Sequence, residues 1–307
     1  MKTMSYPYLS DLIKALTGYD LPLRLPMFGL CVATALLAAS NLLSRELQRL
    51  FEAGRIGPAT ISSKNASGQL TLTEVPPQQI VPDFTLIVMI AGIIGARLFH
   101  ILEHTDRFML DPAGMLLSTS GLSIFGGLIF GTLAGLFCVR RWKLPGWSLL
   151  DATAPSMMLG YAIGRIGCQI SGDGDWGIAA NMSLKPDWLP DWIWAQTYVN
   201  NIYGEVIAAP GVYPTPIYET CMGLVCFLIL WSLRRHPYRA GWLFSIYLLL
   251  AGVERFAIEQ IRVNPVLNIA GLHATQAEMI AVTIFGLGLI GVALLSKRVP
   301  AGHFAKP

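Results

Sequence analysis

The sequence predicts an all-α polytopic membrane protein with about seven transmembrane helices, and three observations predict it. Hydrophobic residues make up 53% of the 307-residue chain and charged residues only 13%, whereas a soluble domain carries about 25% charged residues. Seven apolar stretches lie near 26–43, 84–104, 121–139, 148–167, 215–233, 241–262 and 275–295, each close to the ~20 residues that cross a hydrocarbon core. The charges between them are sorted by side. Mean hydropathy is +0.53, and the net charge of +3 is too small to suggest a nucleic-acid partner.

Taken in order, residues 1–25 contain Lys2, Asp11, Lys14, Asp20 and Arg24. They lack a compact apolar core with a cleavage site, so they do not read as a signal peptide. The first span is expected to serve as the insertion signal. After it, Leu43, Leu47, Leu50 and Phe51 alternate with Arg45, Glu46 and Arg49, which suggests a short amphipathic helix at the membrane surface. A polar, Pro-containing linker then runs to residue 82. Lys and Arg bias sets orientation. The side receiving 44–82, 140–147, 234–240 and the tail holds 13 of them: Arg45, Arg49, Arg55, Lys64, Arg140, Arg141, Lys143, Arg234, Arg235, Arg239, Lys297, Arg298 and Lys306. The other side holds five: Lys2, Lys14, Arg24, Arg107 and Lys185. The N-terminus is therefore expected outside, the C-terminus and the 44–82 linker in the cytoplasm. The whole chain, 1–307, reads as a single transmembrane domain. The loop 173–214 carries Trp176, Trp188, Trp192 and Trp194, and is expected to form a small cap on the outer face. The five cysteines form no CxxC pair, and no disulfide framework, zinc site or cofactor is implied.

Charges inside apolar segments are costly, about 2.5–3.5 kcal/mol or more for an arginine at the bilayer centre, so they mark function or partners. The fourth span ends in GRIGCQISGDGDWG, Gly164–Gly177, where glycines beside Arg165 permit close approach. This reads as an anion-accepting pocket. In the sixth span Arg255, Glu259 and Arg262 recur on one helical face with Glu254 beside it. That stripe is either a structural ion pair or a binding wall, since two arginines against one glutamate leave positive charge over. In the second span Arg97, His100 and His104 share a face with Glu103 adjacent. His100–His104 reads HILEH, the H-x-x-E-H pattern of some metallopeptidases. Boundary histidines, or His100 as a proton acceptor, read the same letters. Glu219 falls one turn into the fifth span after YPTPIYE and requires an arginine partner. Arginine forks at one depth suit phosphate, and a phospholipid headgroup is the anion a membrane offers.

The chain resembles the prolipoprotein diacylglyceryl transferase family. The matching segments, in order, are GARLF (Gly95–Phe99), GLSIFGG (Gly121–Gly127), GRIG (Gly164–Gly167), PTPIYE (Pro214–Glu219) and RFAIEQIR (Arg255–Arg262). The resemblance implies a multi-pass enzyme of the bacterial inner membrane, with a periplasmic N-terminus and cap and a cytoplasmic C-terminus. Such enzymes move the diacylglyceryl group of phosphatidylglycerol onto the lipobox cysteine of a prolipoprotein signal peptide, releasing glycerol 1-phosphate, without cofactor or metal. It implies that Arg165 and Arg255 hold the phosphate, that Glu259 is their acidic partner, and that Gly172 and Asp173 match a Gly-Glu pair. Arg97, Glu219 and Arg262 are expected to complete the substrate site. Departures occur at Phe125, where the family has histidine, at Cys168 and Ser171 for asparagines, at Asp173 for glutamate, and at Phe28 for tyrosine. With the histidine gone, His100, Asp173 or Asp175 is expected to act as base. Two other functions fit the same residues: a related transferase with a different acceptor or headgroup, and a non-catalytic phospholipid-binding membrane protein.

Overall fold

The computed structural model describes residues 4–64, 70–117, 121–269 and 272–298. Lys2 and Lys306, two of the positions in the charge bias, lie outside the described residues. The chain is mostly helical: α1 Leu9–Thr17, α2 Met27–Glu52, α3 Val81–Glu103, α4 Thr105–Leu110, α5 Pro112–Leu117, α6 Ile124–Arg141, α7 Gly146–Ser171, α8 Asp191–Trp194, α9 Thr215–Leu233, α10 Trp242–Glu259 and α11 Gln276–Leu295. Two antiparallel hairpins interrupt them, β1 Ala59–Lys64 with β2 Leu70–Val75, and β3 Val266–Ile269 with β4 Leu272–Thr275. Among the described residues, five helical segments are long and apolar enough to cross a bilayer: Met27–Glu52, Pro77–Glu103, Ile124–Arg141, Thr215–Leu233 and Gln276–Leu295. The protein is a polytopic membrane protein. The fourth and sixth expected spans fall on the helices α7 and α10, 26 and 18 residues long, which are not among those five. They are less apolar because they carry Asp151 and Arg165, and Glu254, Arg255 and Glu259.

The helix ends follow local chemistry. Pro82 stands in the first turn of α3 and Pro216 in that of α9, where a missing N–H costs little. At α11, Thr275 and Glu278 form a reciprocal capping box, with the Glu278 amide donating to Thr275 Oγ1 at 3.1 Å and the Thr275 amide to Glu278 Oε2 at 2.8 Å. The start of α10 is capped by another helix: buried Asp151 of α7 accepts from the amides of Gly241 (2.8 Å) and Phe244 (2.9 Å). A carboxylate there also meets the positive end of the helix dipole.

The chain divides into two compact units, Met1–Ala39 with Leu150–Pro300, and Ser40–Leu149. In the second unit, α3 and α6 cross at glycines. A Cβ added at Gly95 would meet Phe130 and the Gly126 carbonyl, and one at Gly126 would strike the Gly95 carbonyl and Phe99. Small residues let membrane helices approach closely. The expected surface helix after the first span is instead the last two turns of α2. Nothing in Ala38–Leu43 breaks a helix, and Leu43, Leu47 and Leu50 are buried. The linker to residue 82 is the β1–β2 hairpin, tied to the end of α6 by the Thr60 amide donating to the Trp142 carbonyl at 3.0 Å.

In the first unit, α7 packs on α2 and α9 through the same device. A Cβ at Gly167 would lie 2.8 Å from that of Cys31, and one at Gly223 3.2 Å from that of Ala162. After α7 the chain runs through residues 172–214 with short antiparallel contacts, Ala179 and Gln196 each opposite Val212, and Gly177 opposite Arg262. Ala180, Ala195 and Tyr213 form a small core there with Trp194, Tyr218 and Ile261. The N-terminal strand lies along this segment, the Ser5 amide donating to the Val199 carbonyl (2.6 Å) and that of Tyr6 to Ile170 (2.7 Å).

Candidate active site

In the first unit, four charged residues from four chain segments meet. Arg165 lies six residues before the end of α7, Asp175 in the loop beyond it, Glu219 one turn into α9, and Arg262 just past the end of α10. Arg165 pairs with Asp175, and its second terminal nitrogen lies 3.1 Å from Glu219. Arg262 lies 2.6 Å from Asp175 and 3.6 Å from Glu219. Each carboxylate thus bridges both guanidinium groups. Glu219 is fully buried, and its Oε2 finds no hydrogen-bond partner among the described residues, which is unusual for a buried carboxylate oxygen. The Tyr161 phenol, one turn before Arg165, lies 3.2 Å from Glu219 and 2.7 Å from buried Glu254. Its ring also lies under the Arg165 guanidinium, 5.2 Å from centroid to carbon.

The loop that delivers Asp175 depends on Gly172, whose φ of +60° is left-handed. A Cβ there would also crowd Ser5 and Asn201, so glycine answers both the turn and the approach of the N-terminal strand. The Thr215 hydroxyl, at the head of α9, donates to the Asp175 carbonyl. Burial would raise the Asp175 carboxyl, but Arg165 and Arg262 outweigh it and hold it below its ordinary value. Asp173 is shifted the other way, by burial first and then by the charge of Asp175. A cleft of about 350 Å³ opens here, lined by Gly174, Trp176, Tyr203, Glu205, Arg262 and Val263.

The stripe expected on the sixth span divides. Arg262 lies beyond the helix end, where the main chain turns to pair with Gly177. Arg255 and Glu259 stay on α10, 2.6 Å apart, and Asn264 donates to both oxygens of Glu259 at 2.7 and 2.9 Å. The expected surplus of positive charge is also absent. Arg165, Arg255 and Arg262 are each matched by a carboxylate, because Asp175 and Glu219 enter from segments that spacing along one helix could not bring in.

The second unit holds Arg97 and His100 of the expected site. Arg97 donates to the Gly121 carbonyl at 3.0 Å, and His100 packs against Gly121, whose φ is +74°. Glu103 accepts from the Ser123 hydroxyl at 2.9 Å. Among the described residues, two sets of side chains could hold a metal ion by proximity, His100–Glu103–His104 and Cys168–Asp173–Asp175, each offering three ligand atoms within 4.8 Å of one another. The second suits a cation poorly, since Asp175 already serves two arginines.

A family model described as prolipoprotein diacylglyceryl transferase matches residues 17–294. The chain belongs to this family. Similar proteins include the phosphatidylglycerol–prolipoprotein diacylglyceryl transferase of Halalkalibacterium halodurans, 30% identical over 212 residues, covering 69% of this chain and 71% of the relative. That of Geobacillus kaustophilus is 31% identical over 214 residues, covering 69% and 76%. That of Leptospira interrogans is 29% identical over 249 residues, covering 70% and 74%. Within this family chain, reasoning from the sequence missed Tyr161, which links two acids to Arg165, and Asn264. It also missed the polar layer in which Gln169 donates to Gln196 (2.8 Å) and Tyr198 donates to Gln169 (2.8 Å). Tyr161 stands one turn before Arg165 on the same face of α7, which was the available signal; Gln196 and Tyr198 lie in the following loop, where helical spacing gives none.

Proposed function

We propose that this protein transfers the diacylglyceryl group of phosphatidylglycerol to the lipobox cysteine thiol of prolipoproteins, releasing glycerol 1-phosphate. The observation that carries the reading is the box of Arg165, Asp175, Glu219 and Arg262, with Arg262 lining a cleft, in a chain of this family. Each guanidinium has five N–H donors. The two carboxylates engage terminal nitrogens and hold the forks side by side, and the remaining donors face an arriving phosphate. Arg255, with its side chain about a quarter exposed and Glu259 steadied by Asn264, is the second phosphate ligand on α10. In the reaction the thiol sulfur bonds to the glycerol carbon as that carbon's bond to the phosphate oxygen breaks. The thiol proton passes to a base and the arginines stabilise the leaving phosphate. Asp173 is the base that fits. It lies beside the arginine box without being spent on it, whereas Asp175 is held ionised between two arginines. Gly172 shapes the loop that carries the aspartates rather than reacting.

The proposed setting is the bacterial inner membrane, with seven spans formed by α2, α3, α6, α7, α9, α10 and α11. The N-terminus and the 173–214 cap are periplasmic, and the hairpin-bearing 44–82 segment is cytoplasmic. The matched charges of the box favour one second reading, a related transferase whose headgroup or acceptor differs, because an anion must compete with Asp175 and Glu219.

Complementation of a transferase-depleted bacterium, with wild type and Arg165→Ala at equal membrane expression, tests the proposal. Wild type rescues, and Arg165→Ala lowers lipidation of a lipobox peptide by about 10²–10³-fold, the loss seen when a single charge-stabilising donor is removed. Headgroup release without peptide labelling would favour the second reading. Neither activity from well-expressed wild type would leave a phospholipid-binding protein. If His100→Ala, and not Asp173→Asn, removed activity, the proton would go to His100.

A further inference from the structure

We propose that His100, Glu103 and His104 form a binding site for a borderline divalent transition metal, Zn2+ foremost. The three side chains stand where α3 ends and α4 begins, and their ligand atoms lie within 4.8 Å of one another. The two imidazoles are 4.5 Å apart between centroids, inclined at 40°. Tetrahedral zinc with bonds of about 2.0–2.1 Å sets neighbouring ligand atoms roughly 3.4 Å apart. Closing from a spacing of at most 4.8 Å takes at most about 1.4 Å, and Glu103 is exposed.

The surroundings orient these groups as outer partners orient metal ligands. His104 leaves the helical path, with φ −133° and ψ 47°, and its amide donates to Ile101 rather than to His100. The His100 carbonyl, left without its helical donor, lies 3.1 Å from Nδ1 of His104. A carbonyl only accepts, so Nδ1 carries the proton and the lone pair sits on Nε2, the tautomer a metal needs. One oxygen of Glu103 accepts from Ser123 at 2.9 Å, which aims the carboxylate and leaves its other oxygen for the ion. Gly121 lies so close to the His100 ring that a Cβ there would meet it, which fixes the ring's position. Two nitrogens and one carboxylate select a borderline ion over Mg2+ or Ca2+. The bound ion clips the end of α3 and, through Ser123, the start of α6.

Full-length protein in detergent micelles, stripped of metal, is titrated with Co2+ and then Zn2+. Visible Co2+ bands without sulfur charge-transfer absorption, saturating at one ion per chain and bleached by Zn2+ but not by excess Mg2+, are expected. Ser123→Ala weakens affinity by about tenfold, the lower end of the 10–100-fold range for outer partners, and His104→Ala and Glu103→Gln each weaken it by more. Circular dichroism checks that each variant retains its helices, and His104→Gln replaces one that does not. Absence of saturable Co2+ bands in the wild type would overturn the site. So would binding unchanged in the histidine and Glu103 variants but lost in Asp173→Asn, which would assign the ion to the Cys168 cluster.

Discussion

Asp175 shows how one residue can organise a site. It joins Arg165 of α7 to Arg262 beyond the end of α10, and shares their charge with Glu219. Removing one partner of a buried pair costs about 3–5 kcal/mol because the other charge stays uncompensated, so Asp175→Ala and Glu219→Ala should each lower thermal stability in detergent markedly. The two neighbouring aspartates should separate in pH. The carboxyl of Asp175 lies below its ordinary value of 3.8. Its stabilising contribution is therefore complete above pH 3.8 and is lost only as pH falls through the lower folded value. Asp173 lies above 3.8, so it protonates first on acidification. As the base, it gives transferase activity an acid limb at higher pH than the loss of stability. Activity and unfolding measured on one pH series should show the two falls separated. Coincident falls would remove Asp173 from the reaction.

At the scale of elements, close helix approach rests on glycine. Gly95 and Gly126 face each other where α3 crosses α6, each within reach of the other's carbonyl. Gly126→Leu should separate the helices and cost about 1–3 kcal/mol through overpacking, read as a drop in thermal midpoint and in yield. Gly164→Ala, where an added Cβ meets nothing within 4 Å, is the control and should leave both unchanged. Equal losses at the two positions would mean that a general helix effect, not the crossing, is responsible. The same glycines appear in the sequence segments that carry the family resemblance, so part of that resemblance records packing.

For the whole molecule, charge bias and the aromatic loop make one topological prediction. Trp188→Cys, at an exposed position, should react with a membrane-impermeant thiol reagent in intact cells, in a background where exposed Cys221 has been replaced. Arg141→Cys should react only after permeabilisation. The reverse pattern would invert the proposed orientation and place the arginine box at the opposite face. The arginine box lies in the first compact unit and the His100–Glu103–His104 group in the second.

Membrane class, the positions of the long helices and the family were legible in the sequence, because apolar run length and short motifs are local quantities. So was the need of Arg165, Glu219 and Arg262 for charged partners, since a charge in an apolar run requires one. Which partner it has was not legible. Helical periodicity placed Arg262 on a face with Arg255, but α10 ends at Glu259 and the turn beyond it sends Arg262 to Asp175. The tie of Tyr161 to Glu254 likewise rests on a contact between distant segments. A sequence records which groups must be neutralised; only the tertiary structure decides which ones meet, because the energy of a buried charge depends on distances that chain spacing does not set.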